Sequence, residues 1–154
     1  MSTATEHPRA NDERRHWMGV LARAGAARIE ARLTKANALP PHTRLRGPET
    51  GLVMVRGRAG GDGAPFNLGE MTVTRCAVRL ADGTVGHAYL RGRDARGAEL
   101  AAALDAALQD PTRRPALMRD VVEPLAAEQD AARDEMARKA AATRVRFFTM
   151  ANMR

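Results

Sequence analysis

The chain is short of the residues that build hydrophobic cores. Of its 154 residues, 26 are Leu, Ile, Val or Phe, 17% of the total. That is below the roughly 20% mark at which a high net charge makes disorder a serious alternative. Aromatics are scarcer still: Trp17, Tyr89, Phe66, Phe147 and Phe148. A large aromatic core is excluded, which leaves a partly disordered chain or a domain that completes its core against a partner. The single cysteine, Cys76, excludes an internal disulfide and a cysteine-based zinc site. No apolar run approaches the ~20 residues of a membrane span. The opening MSTATEHPRANDERR has no apolar segment of the kind a secretory signal carries. These absences point to a soluble intracellular protein with no membrane partner. The length suits one domain.

Lysine is nearly missing too. Of the 25 cations all but Lys35 and Lys139 are arginine, against 18 acids, for a net charge of +7. Arginine favours planar, bidentate contacts to phosphate or carboxylate. The excess is spread along the chain rather than gathered in a polybasic tail. A basic nucleic-acid-binding module is one alternative, but single-strand binders stack bases on aromatics, and these are few. Acidic partner surfaces suit such an arginine-rich exterior better.

What is present reads as helices, then strands, then helices, hence an α+β fold with an antiparallel sheet of about four strands, an N-terminal helical hairpin and C-terminal helices. Residues 1–10 read as a disordered lead-in, 11–143 as one α+β domain, and 144–154 as an apolar tail that docks on the body or on a partner. Asn11 or Asp12 can cap the first helix. Trp17, Val20, Leu21 and Ala24 form one helical face, Gly25 breaks it, and Ile29, Leu33 and Ala36 belong to a second helix. Leu52–Val55 reads as a strand, with Thr43–Arg46 paired back onto it across the turn-like Gly-Pro-Glu-Thr. Gly60, Gly61 and Gly63 mark a flexible loop. Asp82-Gly83 between two β-type runs predicts a two-residue hairpin with Leu80 opposite Val85. In that register Cys76, Val78, His87, Tyr89 and Arg91 share the apolar face, while Arg75 and Arg79 flank small residues on the other. Asp94 caps a helix carrying Leu100, Leu104 and Leu108 that ends at Asp110-Pro111. A shorter helix carries Leu117 and Val121, and Pro124 starts the last helix, which runs to about Ala142.

Catalytic signatures are thin. The Gly57–Gly63 run lacks the Gly-Lys-Ser/Thr of a phosphate loop and opens no helix. His7, His16, His42 and His87 show no metal-ligand spacing, and no Ser–His–Asp set is evident. Arg91-Gly92-Arg93-Asp94 places two guanidinium groups beside a helix N-terminus, an arrangement suited to an anion or to a salt-bridged junction. The candidate contact residues for an anionic substrate or a partner are therefore Arg75, Arg79, Arg91, Arg93 and Asp94, with Gly60, Gly61 and Gly63 as a clasp. Val145, Phe147, Phe148 and Met150 are the candidate partner interface, because left exposed they invite aggregation.

Several segments, in order, resemble the PhnG family, the G subunit of the bacterial carbon–phosphorus lyase system. They are Arg14-Arg15-His16-Trp17-Met18, Pro48–Val55, Gly60–Glu70, Thr72–Leu80, Gly92-Arg93-Asp94 and Arg144–Met150. One departure is visible: Gly97 stands where the family pattern brings a histidine before Ala98-Glu99, so no role of that histidine carries over. The resemblance implies a cytoplasmic subunit of phosphonate catabolism. The G, H and I subunits with the L protein convert ATP and methylphosphonate to α-D-ribose 1-methylphosphonate 5-triphosphate, releasing adenine. It implies I as the most direct partner, with H and J in the same core and K docking on it. It also implies that this chain binds no cofactor, the iron–sulfur cluster and S-adenosylmethionine belonging to J. No catalytic residue comes with the family. A stand-alone phosphoester or nucleotide enzyme is the other alternative.

Overall fold

The computed structural model describes residues 8–34, 37–59 and 63–144. The tail residues Val145, Phe147, Phe148 and Met150 lie outside the described residues, as do Gly60 and Gly61. Along the chain come α1 (Pro8–Ala24), α2 (Ala26–Arg32), β1 (His42–Gly57), β2 (Phe66–Leu80), β3 (Val85–Arg91), α3 (Ala95–Leu108), α4 (Arg114–Leu117) and α5 (Glu123–Ala142). The expected α+β class holds, with the helices packed on one face of the sheet.

α1 starts at Pro8, whose fixed φ suits a helix start, so Asn11 and Asp12 lie inside the helix rather than capping it. Its expected inner face is buried: Trp17, Val20, Leu21 and Ala24 are nearly or fully inaccessible. Gly25 then breaks the helix with φ 77°, a conformation that L side chains rarely adopt.

Among the described residues the sheet has three antiparallel strands in the order β1-β2-β3, not about four. Thr43–Arg46 and Leu52–Val55 belong to one long strand rather than to a hairpin. The Gly47-Pro48 step that looked like a turn is absorbed by register shifts between Arg44 and Glu49. Proline is tolerated there because β1 is an edge strand.

The β2–β3 hairpin forms where Asp82-Gly83 places it, but one residue out of the expected register. Leu80 N–H donates to Thr84 O at 2.9 Å and Gly83 N–H to Leu80 O at 3.0 Å, closing a three-residue loop. Gly83 takes φ 91° and Asp82 Oδ1 accepts from Thr84 N–H at 2.8 Å. This is a tight turn followed by a left-handed residue. Arg79 therefore faces Val85, Ala77 faces His87, Arg75 faces Tyr89 and Val73 faces Arg91. A one-residue slip exchanges the faces of a strand. Gly86, Ala88 and Leu90 thus point to the helices, and His87, Tyr89 and Arg91 point away with Arg75 and Arg79.

Helix packing enforces that choice. α3 lies against all three strands and against α1, α2 and α4, and is buried from Gly97 to Leu108 apart from Glu99. Its backbone comes so close to β3 that a Cβ on Gly86 would overlap Ala102 O and stand 2.6 Å from Ala106 N. Only glycine fits, and it must face inward. The core is closed with alanine as much as with large aliphatics: Ala98, Ala101, Ala102, Ala103, Ala106 and Ala107 are all buried. Small side chains let elements approach closely, so a chain poor in large aliphatics still closes a buried core.

Arg114 to Ala142 is helical throughout. Pro124 stands in the first turn of α5, as expected, but no gap separates α5 from the helical turns before it. A π-helical turn, Met118–Val122, precedes it, with Glu123 N–H reaching back to Met118 O. The widened turn accommodates a proline that has no N–H of its own.

Two parts leave the body. The distal β1–β2 ribbon carries Leu52, Met54, Phe66 and Leu68, all exposed. In α5, Leu125 is buried but every residue from Asp130 to Arg144 is exposed, a helical arm of about 20 Å.

Candidate functional site

β2 and β3 build the cationic surface. Alternate residues share a face, so Arg75, Ala77 and Arg79 of β2 lie beside Tyr89, His87 and Val85 of β3, with Arg91 one step beyond Tyr89. Arg75, Arg79, Arg91, His87 and Tyr89 are all exposed. The corrected register therefore brings Arg91 onto the same face as Arg75 and Arg79, where the expected register had separated them. Arg75 and Arg79 are about 13 Å apart along the strand. The Glu49 carboxylate on β1 accepts from Arg75 Nε at 3.2 Å and lies 3.1 Å from Arg75 Nη2 and 3.5 Å from Arg46 Nε. Among the described residues, Arg79, Arg91 and Arg93 make no ion pair. Arg93 is exposed in the β3–α3 connection, and Gly63 is exposed beyond the ribbon.

Asp94 faces inward. Its Oδ1 accepts from Gly97 N–H at 2.7 Å, capping α3, and its Oδ2 accepts from Ala26 N–H at 2.9 Å, capping α2. The buried Thr74 hydroxyl locks this junction, donating to Gly92 O at 2.7 Å and accepting from Asp94 N–H at 3.3 Å. The positive end of α3 thus holds a carboxylate of its own chain. Gly97 is part of the same device, because a Cβ there would overlap the Asp94 carboxylate.

Two carboxylates escaped the sequence reading. Asp105, fully buried in α3, accepts from Arg14 Nε at 3.1 Å and Nη2 at 2.8 Å, Trp17 Nε1 at 2.9 Å and the His87 backbone N–H at 2.9 Å. It ties α1, α3 and the β3 edge together. Hydrogen bonding to Asp105 raises the Arg14 pKa further, against the effect of partial burial. Within Ala101–Leu108 the only local signal of this role was a charged residue on an otherwise apolar helix.

Glu99 is the second. It accepts from Arg44 Nη2 at 2.7 Å and Nε at 3.0 Å, and lies 3.2 Å from His42 Nε2. The bond from Arg44 holds the Glu99 carboxyl below its usual range, with His42 adding to the effect against partial burial. A carboxylate fixed in this way clamps β1 to α3 electrostatically and is poorly suited to carry protons. Cys76 is buried, donates its thiol to Arg46 O at 3.3 Å, and has its pKa raised chiefly by burial. Among the described residues no group of three or more His, Cys, Asp or Glu could hold a metal ion. No described helix is long and apolar enough to cross a membrane.

These features define a small α+β protein whose polar clusters brace its own elements and whose outward surfaces, a cationic sheet face and two protruding arms, are suited to contact. Residues 12–152 match the family model described as phosphonate metabolism protein PhnG, and the chain belongs to that family. It is 48% identical over 138 residues to the alpha-D-ribose 1-methylphosphonate 5-triphosphate synthase subunit PhnG of Rhizobium meliloti (strain 1021). The alignment covers 90% of this chain and 88% of that protein.

Proposed function

We propose that this chain is the G subunit of an α-D-ribose 1-methylphosphonate 5-triphosphate synthase. It would act in the cytoplasm with the H, I and L proteins to exchange the adenine of ATP for methylphosphonate. The observation that carries the reading is the 48% identity, spanning about nine-tenths of both chains, to a protein named as that subunit. In this reading the chain holds no cofactor and contributes surfaces rather than reacting groups. Arg79, Arg91 and Arg93, exposed and without an acidic partner among the described residues, contact an acidic surface of a neighbouring subunit, I in the first place. The β-strand geometry supports a partner over the triphosphate itself: Arg91 pairs with Val73, six residues along β2 from Arg79, so these two lie about 20 Å apart along the sheet face, too far to meet on one phosphate chain. The tail from Val145 to Met150 is the second proposed contact.

Deleting the gene in its host tests this. Growth on methylphosphonate as sole phosphorus source is expected to stop, growth on phosphate to continue, and the plasmid-borne gene to restore the first. Undiminished growth of the deletion strain on methylphosphonate refutes the assignment. The purified chain alone is expected to release no adenine from ATP and methylphosphonate.

A further inference from the structure

The β3 edge is half closed. Residues 85, 87, 89 and 91 turn their backbone groups away from β2, since the hydrogen-bonded pairs of this hairpin fall on even positions. α3 satisfies the first part of the edge with side chains: Gln109 Nε2 donates to Val85 O at 2.9 Å, and Asp105 Oδ2 accepts from His87 N–H at 2.9 Å. From His87 O through Tyr89 to Arg91, no described residue pairs with the edge.

The open half borders a groove of about 710 Å³ between β3 and α1. Its β3 wall is His87–Leu90 and its α1 wall runs from Asn11 to Ala22. That length of helix is about 16 Å, equal to roughly five extended residues. Met18, Leu21, Ala22 and Leu90 make the lining largely apolar. The charged side chains in the lining are Arg14, which Asp105 already neutralises, and Arg15, which is widely exposed and meets only the exposed Asp12 one turn back, at 3.3 Å; neither acid lines the groove. An unpaired strand edge beside an apolar trough is the geometry of strand addition, in which backbone bonds give affinity and alternate side chains fill the trough.

We infer that the β3 edge and this groove accept an extended segment of a partner chain as a fourth strand, with small or medium apolar side chains toward α1 and acidic residues beside Arg15. A second copy of β3 fits less well. Val85–Arg91 contains no acid, so self-pairing would set arginine-rimmed surfaces against each other. The inference rests on the subunit reading above and adds a contact on the β3 edge to those proposed for the arginine face and the tail.

Tyr89→Pro is the discriminating variant. The Tyr89 N–H points away from β2, so proline there leaves the β2–β3 ladder intact while removing the edge donor and obstructing a neighbouring strand. The full chain is co-expressed with the other synthase subunits of its host, as wild type, Tyr89→Pro and Tyr89→Phe. Assembly is measured by co-purification, and amide exchange at Tyr89 and Arg91 in the free and assembled chains. The expected results are amides that exchange freely in the isolated chain and at least tenfold more slowly in the assembly, and a tenfold or greater loss of assembly for Tyr89→Pro. Tyr89→Phe should behave as wild type, and the urea midpoint of isolated Tyr89→Pro should be near that of wild type. Arg15→Glu should weaken assembly more at low salt than at high salt.

Wild-type assembly by Tyr89→Pro, or equal exchange in free and assembled chains, overturns this inference alone. Tightened assembly by Arg15→Glu overturns the acidic character of the strand. Dimerisation of the isolated chain that Tyr89→Pro abolishes identifies a second copy as the occupant and overturns the choice of partner. A wild-type chain that co-purifies with no synthase subunit overturns the subunit reading and this inference with it.

Discussion

Replacing Asp105 with alanine is the most informative single test of how this molecule is held together. The carboxylate is fully buried and accepts from four N–H groups: two on Arg14, one on Trp17 and one on the His87 backbone. Removing one partner of a buried ion pair costs about 3–5 kcal/mol, because the other charge is left uncompensated. The Arg14 side chain is 35% exposed and can turn partly toward water, which favours the lower end of that range. Trp17, by contrast, is 2% exposed, and its stranded indole N–H, like that of the His87 backbone, costs about 1–3 kcal/mol if water does not reach it. A loss of about 4 kcal/mol is expected, a large part of the ~5–15 kcal/mol that a domain possesses. With a slope near 2 kcal/mol per molar urea, the midpoint should fall by about 2 M.

Asp105→Asn sharpens the reasoning. It preserves shape but offers an NH₂ group where every neighbour is a donor, so it should also lose about 2–4 kcal/mol. Asp134→Asn, on the exposed arm of α5, should stay within about 0.5 kcal/mol of wild type. The assay is urea unfolding of the full chain followed by tryptophan fluorescence, since Trp17 sits at the cluster. An Asp105→Ala midpoint within 0.3 M of wild type would refute the argument. So would an Asp105→Asn variant as stable as the parent.

Gly86→Ala should cost about 3 kcal/mol, because the added methyl meets helix backbone rather than a yielding side chain; a thermal scan should show a fall of roughly 6–12 °C. Asp94→Ala should lose about 2 kcal/mol, since one carboxylate caps two helices, with faster amide exchange at Ala26 and Gly97 as the local readout. Glu99 supplies a pH test. Its carboxyl titrates lower in the folded state than its ordinary value of about 4.5, so its stabilisation is complete above that value and is lost as pH falls through the lower folded one. Glu99→Gln should therefore be less stable than wild type at pH 7, with the gap closing on acidification below pH 4.5, as read from urea midpoints at pH 7, 5, 4 and 3.

Local chemistry was legible without coordinates. The face formed by Trp17, Val20 and Leu21, the Gly25 break, the Asp82-Gly83 turn and the Asp94 cap each depend on residues within a few positions of one another, and each is found where expected. The arginine surface was legible in kind but not in arrangement. Turn chemistry permitted loops of two or three residues, and only the close approach of α3 to Gly86 decided between them. That decision moved His87, Tyr89 and Arg91 to the opposite face. Asp105 and Glu99 were invisible as clamps because their partners lie up to 91 and 57 residues away. The shortage of large aliphatics was read correctly as composition, yet it did not foretell a loose core. Alanine closes the body by proximity, and the uncovered apolar surface is displaced to the ribbon and α5. Sequence alone determined most of the helices and the β2–β3 turn, because they rest on short-range stereochemistry, whereas the continuity of β1 through Gly47-Pro48 depends on its pairing with β2. Tertiary structure decided which faces they show and which charges meet, because these follow from how closely distant backbones can pack.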